Sequence, residues 1–216
     1  MSSTPRTERG TRTRAKILAA AETVFSELGY AEASIVKITE AAGVGQGTFY
    51  LYFETKKHVF DELVEDLNRR VRHAMTEGSR GAATRMDAER AGFAAFFAFT
   101  AEHPALYRVI REAEFVSPEA LRLHYTRIVE GYIEGLSQAR DAGEIGNVDP
   151  TVAAWALMGI GEMIGMRWVL WGSGADAGAD SDPTASGTSA VPPAVFDEMM
   201  RLISGALRAT DPPEGS

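Results

Sequence analysis

Residues 43–57, GVGQGTFYLYFETKK, crowd an amide, two phenols, two threonine hydroxyls and a lysine pair into one short stretch. These groups suit non-covalent recognition of nucleic acid. Gln46 can hydrogen-bond a base edge, and Thr48 can bond a phosphate or meet a thymine methyl. Tyr50 and Tyr52 can reach phosphates through their hydroxyls. Gly47 lets a backbone approach a duplex closely, and Gly45 opens the same segment. Lys56 and Lys57 stand where a helix is expected to begin, and cations there oppose the macrodipole. A phosphate set at that point is attracted by the dipole, the free N–H groups and the lysines together. Lys56 is therefore expected to hold a phosphate, and its removal to flatten the salt dependence of binding by about one counterion.

Two short helices must hold this stretch. Ser34 reads as the N-cap of the first, about Ile35 to Ala42. Gly43-Val44-Gly45 then makes a tight turn, and the second helix covers about Gln46 to Tyr52. This is helix-turn-helix spacing. Ile35, Ile38, Ala41, Ala42 and Val44 are expected to face inward. That leaves Gln46, Gly47, Thr48 and Tyr50 at the exposed start of the second helix, the end that enters the major groove in this motif. Ser34 and Lys37, on the first helix, join the candidate contacts. A longer helix precedes the pair, about Thr11 to Leu28. Ile17, Leu18, Ala21, Val24, Phe25 and Leu28 form its stripe, and Gly29 stops it. Residues 1–11 read as a flexible basic arm. Residues 1–16 carry five basic groups and one acidic. That excess favours DNA contact, chiefly electrostatic and with Arg14 as a candidate, over a merely solvated tail.

Helical periodicity continues along the chain and β-branched alternation is nearly absent, so the fold class is all-α with about nine helices. Thr55 caps a fourth helix to about Glu77, with Val59, Phe60, Leu63 and Leu67 inside. Gly78-Ser79-Arg80-Gly81 marks a boundary. A helix of about Arg85 to Glu102 follows. Four more open near Pro104, Pro118, Pro150 and Pro192, where a proline loses no hydrogen bond. Ser117 and Asp149 suit as caps. Residues 173–190 contain no large apolar side chain and read as a disordered connector, and 209–216 as a flexible tail.

The net charge of −8 over 216 residues is unevenly spread. Residues 1–60 hold eight Lys/Arg against six Asp/Glu, a net of +2, and the remainder a net of −10. A basic head on an acidic body suggests two parts with different partners. Absence of cysteine excludes disulfides, thiol nucleophiles and cysteine-held metals. No apolar run is long enough for a membrane span and no signal-peptide pattern appears, so a cytoplasmic location is expected. His58, His73, His103 and His124 lack the i, i+4 spacing of a helical metal site. A dinucleotide loop needs glycine at position 48 and a preceding strand; Thr48 and a helix stand there instead. No G-x-S-x-G elbow occurs. Enzyme activity is disfavoured, although a Ser-His-Asp set can assemble in space, and neither metal nor cofactor is expected.

The first-helix stripe, ITEAAGVGQGTFYLYF and Glu54-Thr55-Lys56 together resemble the TetR family of bacterial transcriptional regulators, over about residues 12–60. The helix-turn-helix, Tyr50 and Lys56 carry over. Gly45 and Gln46 stand where the family commonly has Ser-Lys, and Leu51 where a polar residue is common, so base specificity does not. The resemblance implies a three-helix DNA-binding domain at 12–55 and a helical effector-binding and dimerisation domain at 56–208. It implies double-stranded operator DNA and a second copy of the chain as partners, a small-molecule effector, and a repressor's role.

Dimerisation in such proteins uses the last two long helices. The expected interface comprises Trp155, Met158, Gly159 and Met163 on the helix from Pro150 to Trp171, with Phe196, Met199, Met200 and Ile203 on the last. Phe93, Phe97, Tyr107, Phe115, Tyr125, Glu162, Met166 and Trp168 are candidates to line an effector site. For the phenylalanines plain core is an equal reading, and for Arg167 and Trp168 a dimer contact is. Arg111, Glu112 and Glu114 read as solvated. Aromatic and methionine content favours an apolar or aromatic effector, such as an acyl thioester or a drug-like compound. Two other classes remain, an all-α enzyme and a helical interaction module. DNA affinity with a steep salt slope separates them from the regulator.

Overall fold

The structure is a computed structural model describing residues 8–171 and 191–208, and the regular elements within them are all helical. The expectations for residues 1–7, 173–190 and 209–216 lie outside the described residues.

α1 (Glu8–Glu32) places apolar residues at helical spacing and buries Ile17, Ala20, Ala21, Val24 and Phe25. It begins earlier than the arm reading allowed, since residues 8–11 are its first turn. Leu28, expected on the buried stripe, is exposed, and Ala20 is buried instead. Gly29 breaks the helix at φ 75°, a left-handed backbone that glycine alone adopts cheaply. A Cβ there would also stand 2.6 Å from Glu112 Oε1.

α2 (Ile35–Ala42) starts where Ser34 Oγ accepts from the Lys37 N–H at 3.2 Å. It ends at Gly43, φ 61°, with the Val44 N–H donating back to Thr39 O at 3.0 Å. Ile38, Thr39 and Ala42 are buried, whereas Ala41 is exposed, one residue off that face. α3 (Gln46–Tyr50) buries Phe49, and Phe53 follows it into the core. α4 (Lys56–Ser79) is capped by Thr55 Oγ1, which accepts from the His58 N–H at 3.0 Å. Its Val59, Phe60, Leu63, Val64 and Leu67 are buried. Phe25 and Tyr30 meet the Phe60 ring edge-on, at centroid distances of 5.3 and 5.1 Å. Phe25 and Phe60, both fully buried, each contribute about 2 kcal/mol through removal from water.

α5 (Arg85–Glu102) is capped by Thr84, whose Oγ1 accepts from the Asp87 N–H at 3.1 Å. α6 (Ala105–Val116) and α7 (Pro118–Asp141) follow. Asp149 caps α8 (Pro150–Gly165), which continues as a π-helical turn, Met166–Leu170. α9 (Pro193–Leu207) is the last described helix.

The chain divides into two compact units, and the division differs from the expected boundary at 55/56. Among the described residues, the first unit holds 8–69 and 104–124, and the second 70–103, 125–171 and 191–208. The first half of α4 belongs to the head because its apolar face completes the core built by α1 and Phe49. α6 belongs there too, through long-range polar bonds to α1. Arg108 Nη1 donates to Ser26 O at 2.8 Å, and the Tyr30 N–H donates to Glu112 Oε2 at 2.8 Å. Residues 78–81 end a helix without separating units. The second unit's core joins Phe93, Phe97, Leu136, Ala154 and Leu157 to Met199, Met200, Ile203 and Leu207. Among the described residues, no helix is long and apolar enough to cross a membrane.

Candidate nucleic-acid interface

Three local features aim α3 outward. Ser34 and Gly43 fix both ends of α2, and buried Phe49 anchors α3 from beneath. Gly45, Gln46 and Gly47 are consequently exposed, Thr48 is half-buried, and Tyr50 is 54% exposed. Space is open at Gly45 and Gly47, where an added Cβ would meet nothing within 4 Å. Tyr52 is half-buried one turn further on. Leu51 is 67% exposed, and Val36 is exposed on α2 beside Lys37. These two apolar side chains extend the surface with groups that sequence reasoning did not select.

The charged candidates are placed differently. The Lys56 ammonium points into the protein, donating to Tyr30 O at 2.7 Å and Ala33 O at 2.8 Å. It lies 3.5 Å from Ala31 O and 4.3 Å from the Tyr30 ring centroid. Its three N–H donors therefore have internal acceptors. Lys57 Nζ donates to Asp61 Oδ2 at 2.7 Å and to Ser117 Oγ at 3.0 Å. Two cations at a helix N-terminus thus have an internal explanation: they tie α4 to the turn after α1 and to the start of α7. Arg14 is also engaged. It pairs with Glu62, and its guanidinium carbon lies 5.1 Å from the Phe53 ring centroid. Burial is the main force lowering its pKa, with Arg69 adding repulsion. Glu62 also lies 3.1 Å from His58 Nε2. Lys37 Nζ, though exposed, donates to Glu32 O at 2.9 Å. Ser34 spends its hydroxyl as the cap. Of the arm, Arg9, Arg12 and Lys16 are exposed on α1.

Glu112, expected as solvated, instead braces the segment that Lys56 holds from the other side. Its carboxylate takes the Tyr30 N–H and sits against Gly29. The left-handed Gly29 was the available signal, since a break of that kind leaves an N–H needing an acceptor.

The eight effector candidates are divided between the two units. Tyr107 and Phe115 belong to the first unit and the other six to the second. Phe115 is 85% exposed, so it lines no enclosed site; it falls on the outer side of α6, opposite Val109, Ile110 and Ala113. Phe93 and Phe97 are buried in the second unit's core, where Phe97 meets Phe196 edge-on at 6.2 Å. Trp168 packs against the same core, and Arg167 lies over its ring at 5.4 Å. Met166 is half-buried at the start of the π-helical turn. Tyr125 and Glu162 do come together, the phenol donating to the carboxylate at 3.0 Å.

The dimer candidates divide by helix face. Trp155 (48%) and Met163 (57%) are exposed, as are Gly159, Val152 and Leu202, and Met158 is half-buried. Met199, Met200 and Ile203 are instead buried in the chain's own core, because they share the α9 face that packs on α8 and α5; Phe196 is half-buried beside them. An apolar groove of about 330 Å³ between α8 and α9 includes Val152, Ala156, Ile160 and Ala206.

Residues 17–63 match the family model described as bacterial regulatory proteins, tetR family. The chain is 33% identical over 126 residues to the regulator EthR of Mycolicibacterium smegmatis, covering 54% of this chain and 56% of that one. It is 28% identical over 160 residues to the fatty acid metabolism regulator protein of Bacillus subtilis, covering 66% and 82%. Matches to the first two curated relatives span 33% and 56% of their lengths. Among solved structures, the fold is similar to that of the regulator FadR from Bacillus subtilis in complex with stearoyl-CoA. The TM-score is 0.72 at 21% identity, over 88% of this chain and 97% of that one.

Proposed function

From the premise that this chain belongs to the TetR family of bacterial transcriptional regulators, we propose that it is a homodimeric, effector-released repressor of a near-palindromic operator. The observation that carries this reading is the exposed start of α3, held outward by a capped α2 and a buried Phe49. Gln46 and Thr48 read base edges there, and Tyr50 bonds a phosphate. Two copies join through the exposed apolar face of α8 and α9, so their paired heads meet half-sites of matching symmetry.

An acyl thioester is the effector class we favour. Its support is the fold likeness to a FadR bound to stearoyl-CoA and the partial identity to a fatty acid metabolism regulator. Release is a population shift: a ligand that binds better to the arrangement unfit for DNA lowers operator affinity by the same differential. α4 and α7 each contribute residues to both units, which makes them the elements through which the shift is expected to pass.

Fluorescence anisotropy with labelled duplexes tiling the gene's own upstream region tests the reading, at two salt concentrations and with a scrambled control. Tight, salt-dependent binding to one near-palindromic segment, reversed by stearoyl-CoA, is the expected result. Equal weak binding to every duplex, or none at low salt, overturns the operator reading. Operator binding that stearoyl-CoA leaves untouched overturns the effector class alone.

A further inference from the structure

His58 is the third residue of α4, just past the turn that follows α3. Both of its ring nitrogens are engaged within the first unit. The Glu54 N–H donates to Nδ1 at 3.2 Å, and Nε2 lies 3.1 Å from Glu62 Oε1. A backbone N–H can only donate, so the nitrogen that receives it carries no proton. The ring is therefore neutral, with its proton on Nε2 and donated to the Glu62 carboxylate.

The arrangement is a reciprocal cap. Thr55 Oγ1 accepts the His58 N–H at 3.0 Å, while the His58 ring reaches back for the Glu54 N–H. A capping box works in this way, with Ser or Thr followed three residues later by Glu or Gln. Here the later residue is a histidine, and it reaches one residue further back. Imidazole is the side chain whose charge ordinarily changes between about pH 5 and 8, so this cap can be switched where a glutamine cap cannot.

What the cap holds lies directly behind the recognition surface. Residues 51–55 join α3 to α4, and α3 has five residues and no side-chain bond at its N-cap. Buried Phe49 and Phe53 anchor this segment from the apolar side. The bond from Glu54 to His58 ties it from the polar side, next to Tyr50 and Tyr52. A proton on Nδ1 would turn the acceptor into a donor and set it against the Glu54 N–H. Glu62 would still hold Nε2–H, so the ring stays and the change falls on the turn. The Phe53 ring meets the imidazole edge-on at 5.7 Å. The charged groups facing the ring are Glu62 of α4 and, through Glu62, Arg14 of α1. Arg69 and Asp66 act on Arg14, Lys57 and Asp61 pair with each other, and Glu54 is exposed.

We propose that His58 is a positioning residue for DNA recognition: its neutral ring pins the turn behind α3, and its protonation releases that turn and weakens operator binding. The consequence for DNA rests on the regulator reading; the pinned turn does not.

NMR on the full chain tests the pin. Ring-nitrogen chemical shifts should show Nδ1 as the bare nitrogen at about pH 8, and the Glu54 amide signal should move together with the ring as pH falls to about 5.5. Anisotropy with the operator duplex tests the consequence. Wild-type affinity should fall about fivefold over that range, the size of one lost helix cap. His58→Gln keeps an acceptor for Glu54 and a donor for Glu62 but does not titrate. It should retain the affinity seen at the higher pH and lose the fall. A proton on Nδ1 of the neutral ring, or a Glu54 amide indifferent to the ring's titration, overturns the pin. A fall of equal size in wild type and His58→Gln, or none in wild type, overturns the link to DNA. No operator binding by wild type at either pH removes the regulator reading and the consequence with it, while the ring and amide shifts decide the pin by themselves.

Discussion

Lys56 shows how a charged side chain beside an interface can serve the scaffold. Its ammonium holds the carbonyls of Tyr30 and Ala33, groups left without helical partners where α1 breaks and α2 begins. Lys56→Ala leaves those acceptors to water and should cost about 1–3 kcal/mol of stability, visible as a lower urea midpoint. DNA binding should fall with it while the salt slope stays put. A fully stable variant with a slope flattened by about one would return Lys56 to the phosphates. Gln46 presents the opposite case, being exposed and dispensable for packing. Gln46→Ala should preserve stability and alter base preference, measured as a binding profile over single-base operator variants; an unchanged profile removes it from direct readout. His124 carries a third residue-scale prediction. Asn68 Nδ2 donates to its Nδ1 at 3.1 Å and to its carbonyl at 2.9 Å, and burial pushes the imidazole pKa down to about 4 from 6.5. The unfolded chain therefore takes a proton that the folded chain resists. Stability is full above about pH 6.5 and is lost as pH falls toward about 4, by about 3 kcal/mol. Urea denaturation at about pH 7.5 and about pH 4.5 reads that loss, and His124→Gln should shrink the difference.

α8 and α9 each carry two apolar faces, and burial assigns them different roles. Ile203 faces the chain's own core, so Ile203→Ala should lower stability by about 2–5 kcal/mol. Met163 and Leu202 face outward. Met163→Glu should leave the monomer folded and shift sedimentation from dimer to monomer, since a buried unpaired carboxylate opposes association. A dimer that survives the substitution would move the interface elsewhere. Periodicity alone could not make this division. It put Met163 and Met199 alike in the expected dimer interface but carried no information on whether the covering surface belongs to the same chain. The same limit explains Phe115 and Phe93: identical residue types on helices, one exposed and one buried, by tertiary neighbours alone. Local signals were legible where chemistry is local. Ser34, Gly43, Thr55 and Asp149 announced helix ends because caps need those side chains or that backbone. Attachment of α6 to the head was not legible, because it depends on Arg108 and Glu112 meeting α1 across 82 residues of sequence.

At the scale of the whole molecule, charge and linkage constrain how such a regulator works. Residues 1–60 are net positive by two and the rest net negative by ten, but the unit that holds α1 to α3 also takes in acidic residues of α4 and α6, so the attraction for a duplex is local to exposed cations such as Arg9, Arg12, Lys16 and Lys37. DNA association should accordingly slow with added salt. Linkage makes the firmer demand. If an acyl thioester weakens operator binding by some factor, the operator must weaken acyl thioester binding by that same factor, whatever the path through α4 and α7. Titrating stearoyl-CoA into the free protein and into the protein saturated with its operator duplex measures one ratio. Titrating operator with and without stearoyl-CoA measures the other. Equality of the two ratios is expected for a single coupled equilibrium. An operator ratio well above one beside an unchanged stearoyl-CoA affinity would mean that release comes from competition or aggregation, and that the population shift does not operate.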